Sequence, residues 1–555
     1  MSFFPRPWLA TLGFALILPA AASAQQVAAP AAAPAPVQWT HLDPLKDRTM
    51  GISTQRAYDE LLKNRIPTAV VVAVIDSGVD TAHVDLKRVL WTNPREIPGN
   101  GKDDDGNGYV DDIHGWSFLG GKDGRNVDVD TYEETRLVAK LKPLYEGKSR
   151  TSVPAAKREE YDLYQRVKKD YDKKVAEETK QLQELGPMGE QLQSITSQLK
   201  QVLGVERLDT AVLRKPPVSN PQLLALTSQL YGSLLASGQP DMESVVKQIQ
   251  QAATEGKKHL DYSLNLQYNP RTIVGDDEDN TKDRNYGNND VTGPDALHGT
   301  HVAGIIAADR QNNIGVQGVA GAPVQIMAVR AVPNGDEHDK DVANAIRYAT
   351  DNGAAIINMS FGKYYSPHRE AVDEAIRYAG SKGVLLVHAA GNESNNIDEV
   401  THYPAPVAPK ATAAYPNFLT VGASASTNDE HLAADFSNYG KRVEVFAPGV
   451  GIYSTLPGST YGNESGTSMA APTVAGMAAV LKSYFPSLSA VELKRILMAS
   501  AQPVHTKVLK PGAKKPVDFS TLSSTGGVVN LYRAVELATQ AQAGSAAKGG
   551  AAAGK

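Results

Sequence analysis

The run Ala69-Val-Val-Val-Ala-Val-Ile75 is apolar at every position and rich in β-branched side chains. A strand with one face in water alternates polar and apolar residues, so an unbroken apolar run fits a strand covered on both faces, as in a parallel sheet. The run stops at Asp76, Ser77 and Gly78, and comparable runs recur at Val324–Val329, Ala355–Met359, Val384–His388, Phe418–Gly422 and Val443–Phe446. Helical patterns separate several of them, including Lys340–Asn352 and Arg369–Lys382. This alternation predicts the α/β class, with a mostly parallel central sheet between helical layers and functional groups at strand C-terminal ends. With 41% hydrophobic and 21% charged residues in 555 positions, the chain has the composition of a globular protein with a sizeable core.

The N-terminus reads differently. Met1–Ala24 carries Arg6, the apolar run Leu12–Pro19 and the small triplet Ala22, Ser23, Ala24. That is the pattern of a cleaved secretory signal, and its apolar run falls well short of the ~20 residues needed to span a bilayer. The mature protein is therefore expected to be secreted or periplasmic, with no stable membrane span. Residues 25–38 are rich in Ala and Pro and read as a linker, and the Ala/Gly-rich residues 541–555 as a disordered tail. Cysteine is absent, which excludes disulfides, thiolate metal sites and a cysteine nucleophile. The net charge of −5 offers no overall positive field for nucleic acid.

Residues 131–270 have another composition, rich in Lys, Glu and Gln. Tyr161, Tyr164, Val167, Tyr171 and Val175 recur at helical spacing, and Leu192, Ile195, Leu199 and Leu203 form a second stripe. With a break expected at Gly186-Pro187, two helices could pair as a hairpin. The mixed charges suit a solvated insertion, and contact with a partner is a further possibility.

Three segments place a reactive side chain among small residues. They are Ile75-Asp76-Ser-Gly, His298-Gly-Thr-His301, and Gly466-Thr-Ser468-Met-Ala-Ala-Pro472. A serine hydroxyl becomes an effective nucleophile when an imidazole takes its proton and a carboxylate orients that imidazole. Asp76, His298 and Ser468 supply these groups, and a serine opening a helix also has free backbone N–H groups beside it. Ala389-Ala-Gly-Asn392-Glu393 adds an amide that could donate to an oxyanion.

Together, the order Asp, His, Ser and the flanking residues resemble the subtilisin-like serine proteases, over about residues 66–128 and 271–540. The resemblance implies a three-layer subtilisin-like fold, divided into catalytic segments 39–130 and 271–540 around the insertion at 131–270. It implies that Asp76 supports His298, that His298 is general base and then general acid, that Ser468 forms an acyl-enzyme, and that Asn392 and the Ser468 N–H make the oxyanion hole. His301 would be structural. Ser360, Phe361 and Gly362 would bind substrate backbone, with Phe361 and Glu393 beside the primary pocket, and protein or peptide substrates would be the partners. The separation of Asp76 and His298 exceeds the family's usual spacing, and fewer residues precede the first strand than an independent propeptide domain would need.

Asn100-Gly-Lys-Asp103-Asp-Asp105-Gly-Asn107, continuing to Asp112, alternates hard oxygen donors in a Gly-rich turn. Such a loop suits calcium, with Asp103, Asp105, Asn107 and Asp112 as candidate ligands, although His114 stands where an EF-hand would carry its closing Glu. Two rival readings remain. An α/β-hydrolase esterase would need the order Ser, Asp, His and a second glycine where Ala470 stands. A catalytically inactive subtilase-like scaffold would bind a protein or peptide through the insertion.

Overall fold

The computed structural model describes residues 38–552, except Ala322, Lys410 and Thr412. The signal segment 1–24, residues 25–37 of the linker, and 553–555 lie outside the described residues. The described chain forms two compact units, one from residues 38–133 and 269–552 and the other from residues 134–268.

The first unit is built on thirteen short strands: β1 Val70–Asp76, β2 Gly115–Ser117, β3 Val324–Arg330, β4 Ala354–Met359, β5 Leu385–Ala389, β6 Phe418–Ser424, β7 Val445–Pro448, β8 Ile452–Leu456, β9 Thr460–Glu464, β10 Gln502–Pro503, β11 Lys507–Leu509, β12 Pro516–Asp518 and β13 Gly527–Val528. Nine of them make one sheet in the order β10-β13-β7-β6-β5-β4-β1-β3-β2. All neighbours are parallel except β10 and β13. The expected mostly parallel α/β sheet is thus present, with β1 as an interior strand paired on both sides, to β3 and β4.

Period-two geometry explains why β1 is apolar throughout. Val70, Val72 and Val74 join one core with helix α1, Leu297–Ala307, while Ala73 and Ile75 join a second core with α2, Asp339–Asp351, and α3, Arg369–Ser381. Helix α4, Thr467–Tyr484, lies in the first core with α5, Ala490–Ser500, and α6, Leu531–Ala552. Many of its buried residues are small, among them Ala470, Ala471, Ala475, Ala478 and Ala479. Residues 541–552 continue α6.

The β8–β9 hairpin fixes α1 from the side. Ser454 Oγ donates to the His301 carbonyl at 2.8 Å and Thr455 Oγ1 to the Thr300 carbonyl at 2.7 Å. His301, the second histidine of its motif, is buried, and its ring meets the Gly462 carbonyl at 3.2 Å. Burial pushes its pKa down to about 4, which suits a structural, neutral imidazole.

The unit of residues 134–268 has its own core. Leu185, Leu192, Leu199 and Leu203 from the helix Arg158–Leu203 cluster with Met242, Val245, Val246 and Ile249 from the helix Met242–Lys258. The expected break at Gly186-Pro187 does not occur, because one 46-residue helix runs through it. An internal proline costs ~3 kcal/mol, and burial of these leucines against the facing helix offsets it at ~1.5–3 kcal/mol each. The antiparallel partner is therefore Met242–Lys258 instead of the helix's own second half. Asn220 and Asp241 cap the starts of the two later helices, accepting from Leu223 N and Ser244 N respectively. Among the described residues, no helix is long and apolar enough to cross a membrane.

His41, in the first unit, makes the cost of burying histidines measurable. Burial first, and the Arg310 charge second, push its pKa down to about 4, while its Nε2 lies 2.8 Å from the Gln317 carbonyl. Between pH 6.5 and 4 the unfolded chain binds a proton there that the folded chain does not, so this stability is lost as pH falls. His41→Gln retains a donor toward Gln317 and should flatten the stability-versus-pH curve by up to one proton, or about 1.4 kcal/mol per pH unit. Denaturant titrations across that window would measure it, and an unchanged slope would contradict the assignment.

Candidate active site

Asp76 ends β1, an interior strand of the sheet, and is 1% exposed. Its Oδ1 accepts the Ser77 N–H at 2.8 Å and the Nδ1–H of His298 at 2.7 Å, across 222 positions of chain. Since an ionised carboxylate only accepts, the proton belongs on Nδ1, leaving Nε2 as the acceptor of a neutral imidazole. Close approach is possible because Gly299 follows His298. A β-carbon there would lie 2.1 Å from the Gly78 carbonyl oxygen and 3.1 Å from Asp76 Cβ. Arg330, at the end of β3 and paired in register with Asp76, donates through Nε to the Ser77 carbonyl at 2.8 Å. Its other guanidinium nitrogens reach Ser117 Oγ and the Val127 carbonyl. This buried arginine braces the turn that carries the carboxylate, a role that the apolar run ending at Val329 did not signal.

Ser468 occupies the first turn of α4. Its hydroxyl donates to the Ser360 carbonyl at 3.2 Å and makes no hydrogen bond with His298. Ser360 in turn donates its hydroxyl to the Ser468 carbonyl at 2.9 Å. The reason lies one helical turn further on. The Ser468 carbonyl would normally accept the N–H of residue 472, which is Pro472 and has none. Ser360 supplies the missing donor, and Asn358 Nδ2 bonds Ser360 Oγ at 3.0 Å.

Asn392 is held from the same turn. Its Oδ1 accepts the Thr467 N–H at 2.8 Å and the Thr467 hydroxyl at 2.9 Å, which turns Nδ2 away from both. The Met469 N–H goes to the Gly466 carbonyl at 3.1 Å. Among the described residues the Ser468 N–H has no acceptor in the chain. A β-carbon placed on Gly466 would lie 3.5 Å from Asn392 Nδ2 and 3.5 Å from Ser468 N, so the two nitrogens are near neighbours in the turn that carries the hydroxyl. Donors fixed in this way can stabilise a developing oxyanion. Glu464, at the end of β9, also feels His298, although burial dominates and raises its carboxyl above the ordinary range.

The expected substrate-binding residues divide. Ser360 and Gly362 follow β4 beside Ser468. Phe361 points elsewhere: it is 4% exposed and packs in the core with α2 and α3, so it is not a pocket wall. Its carbonyl is taken by His388 Nε2 at 2.9 Å. Glu393 is exposed, but its carboxylate already accepts Tyr364 Oη–H at 2.7 Å and Asn438 Nδ2–H at 2.9 Å.

The acidic loop divides as well. Asp103 uses its oxygens on the N–H groups of Gly106, Asn107 and Gly108, and Asn107 turns its oxygen to Tyr109 N and its amide to Asp112. Neither is therefore directed into a common site. Asp105 and Asp112 instead converge with Glu96, a residue outside the sequence motif, and one carboxylate oxygen from each lies within 4.8 Å of the others. Glu96 Oε1 accepts two backbone N–H groups, while its buried Oε2 has no hydrogen-bond partner. Burial pushes the Asp112 carboxyl up to about 6, opposed by Tyr348, Asn93 and Asn107, with the Asp105 charge adding to the rise. An all-oxygen set with an orphaned buried carboxylate oxygen fits a hard cation.

Comparison with known proteins identifies the family. The chain matches the model of the subtilase family across residues 68–526, and it belongs to that family. It is 46% identical to a thermophilic serine proteinase of Bacillus sp. (strain AK1) over 187 residues, 34% of this chain and 42% of that protein. It is 43% identical to thermitase of Thermoactinomyces vulgaris over 193 residues, 35% of this chain and 63% of that protein. Against Subtilisin Savinase of Lederbergia lenta it is 40% identical over 206 residues, 37% of this chain and 70% of that protein. The chain thus spans less than two thirds of the first two relatives.

The Ser360–Ser468 exchange is testable apart from chemistry. Ser360→Ala should orphan the partly buried Ser468 carbonyl and destabilise the fold by about 1–3 kcal/mol. In a Pro472→Ala background, where the helix regains its own N–H, the same substitution should cost about 1 kcal/mol less. Additive losses in a double-mutant cycle would refute the compensation.

Proposed function

We propose that the protein is an exported serine endopeptidase that hydrolyses peptide bonds through Asp76, His298 and Ser468. The observation that carries this reading is the 2.7 Å contact of His298 Nδ1 with the buried Asp76 carboxylate, beside a helix-opening serine whose N–H lies near Asn392 Nδ2. His298 Nε2 takes the Ser468 proton as Oγ leaves Ser360 and attacks the substrate carbonyl carbon. Asn392 Nδ2 and the Ser468 N–H receive the negative oxygen, and α4 adds the positive end of its dipole. The imidazolium, stabilised by Asp76, returns the proton to the leaving amine. Water repeats the sequence on the acyl-enzyme and restores Ser468. An extended peptide would run beside the segment after β4, pairing with its backbone.

Glu96, Asp105 and Asp112 would hold a structural calcium ion. Its charge would offset the repulsion among three neighbouring carboxylates and tie the loop together.

In assays on an unfolded protein substrate, Ser468→Ala should abolish turnover and labelling by a fluorophosphonate. Asp76→Asn should lower turnover by ~10⁴-fold. Asn392→Ala should lower it by ~100–1,000-fold, a magnitude taken from a member of this same family. Labelling at a different serine, or full activity in Ser468→Ala, would overturn the mechanism. Chelation of calcium should lower the melting temperature of the parent protein and leave Glu96→Gln/Asp112→Asn unaffected. Equal melting temperatures with and without chelator in the parent would remove the calcium assignment.

A further inference from the structure

The protease reading leaves open which side chain can precede the cut. The acyl carbonyl must lie at Ser468 Oγ with its oxygen between Asn392 Nδ2 and Ser468 N. Ser468 Oγ touches the Ser360 carbonyl on one side, and Asn392 follows Gly391 on the other. The substrate side chain next to that carbonyl therefore enters between the segment Ser360–Gly362 and the segment Ala389–Glu393. Each segment has a glycine there, which would ordinarily leave room for a deep slot.

That slot is filled from within the chain. A β-carbon on Gly362 would lie 2.1 Å from His402 Cε1 and 2.6 Å from His402 Nε2, and one on Gly391 would lie 3.1 Å from the same Nε2. The imidazole of His402 thus stands between the two glycines, and the residue is 6% exposed. Its position is fixed by neighbours on several elements. Tyr403 exchanges two backbone hydrogen bonds with Lys363, at 2.8 and 3.1 Å. The Tyr364 and His388 rings lie 5.5 and 5.6 Å from the His402 ring. Beside Gly391, the space of a β-carbon is also approached by Asn438 Nδ2 at 2.3 Å and Glu393 Oε2 at 2.8 Å. Those two groups are bonded to each other, and Glu393 is further tied to Tyr364.

We infer that His402 plugs the primary specificity pocket, so that the protease cleaves after small residues such as Gly, Ala and Ser and rejects large apolar or aromatic ones. The inference rests on the protease reading above. A large side chain would have to displace a packed ring and break the Tyr364–Glu393–Asn438 network. A small one needs neither. Glu393, whose Oε2 is held by Tyr364 and Asn438, contributes to closing the slot beside Gly391.

The test uses peptides identical except at the residue before the cut. The parent protein should show a kcat/KM for Ala at least ~100-fold above that for Phe, and His402→Ala should reduce this ratio at least ~10-fold by admitting the larger side chain. Equal cleavage after Phe and Ala in the parent, or an unchanged ratio in a folded His402→Ala variant, would overturn the inference. Should His402→Ala not fold, the parent alone decides, through the rates at which diaryl phosphonates carrying Ala or Phe side chains label Ser468. Faster labelling by the Ala compound supports the plug, and equal or faster labelling by the Phe compound refutes it. A fluorophosphonate without a side chain separates the two layers of argument. Its failure to label Ser468 would remove the protease reading and this one with it, whereas its success alongside equal Ala and Phe rates would remove the plug alone.

Discussion

A charged carboxylate buried at the end of a strand within a parallel sheet is costly unless its environment supplies donors. Asp76 meets that condition at Oδ1, with the Ser77 N–H and the His298 Nδ1–H, while its buried Oδ2 has no hydrogen-bond partner among the described residues, and much of the first unit serves to keep those donors in place. Gly299 lets α1 approach the end of β1, the β8–β9 hairpin fixes the backbone of α1, and Arg330 holds the Ser77 carbonyl. Breaking any of these supports would let the imidazole drift from a carboxylate that has no solvent to replace it.

The opposite wall of the site uses a different economy of hydrogen bonds. Pro472 removes a helical N–H, and Ser360 answers with its hydroxyl, so the backbone of the candidate nucleophile is bound to the segment along which a substrate would lie. Thr467 likewise ties Asn392 to the first turn of α4. The hydroxyl, the amide and the flanking segment are therefore parts of one rigid body. Rigidity of this kind sets donors in place before charge develops, and it also makes the filled slot at His402 hard to open.

Much of this was legible in the chain. β1, β3, β4, β5, β6 and β7 fall within two residues of the apolar runs that predicted them, because a doubly covered strand must be apolar throughout. Helices α2, α3 and α4 follow their amphipathic or small-residue patterns in the same way. Where prediction failed, a contact that the local pattern does not show had intervened. Gly186-Pro187 reads as a break until the helix Met242–Lys258 packs along it. Phe361 reads as a pocket wall until its ring is found in the core with α2 and α3. Asp103 and Asn107 read as ligands until their oxygens are found bonded to the amides of their own loop, with Glu96 standing in the cluster instead.

The sequence by itself determined the α/β class, the order in which carboxylate, imidazole and hydroxyl occur, and the small residues that allow them to meet, since these depend on local pattern and on side-chain chemistry. Only the tertiary structure decided which groups are already engaged. Whether Glu393 is available to a substrate, whether Glu96 joins Asp105 and Asp112, and whether His402 fills the space between Gly362 and Gly391 all depend on how the folded chain brings these side chains together. Side-chain identity specifies what a group can bond, but a buried group is satisfied by whatever the fold brings within about 3 Å of it.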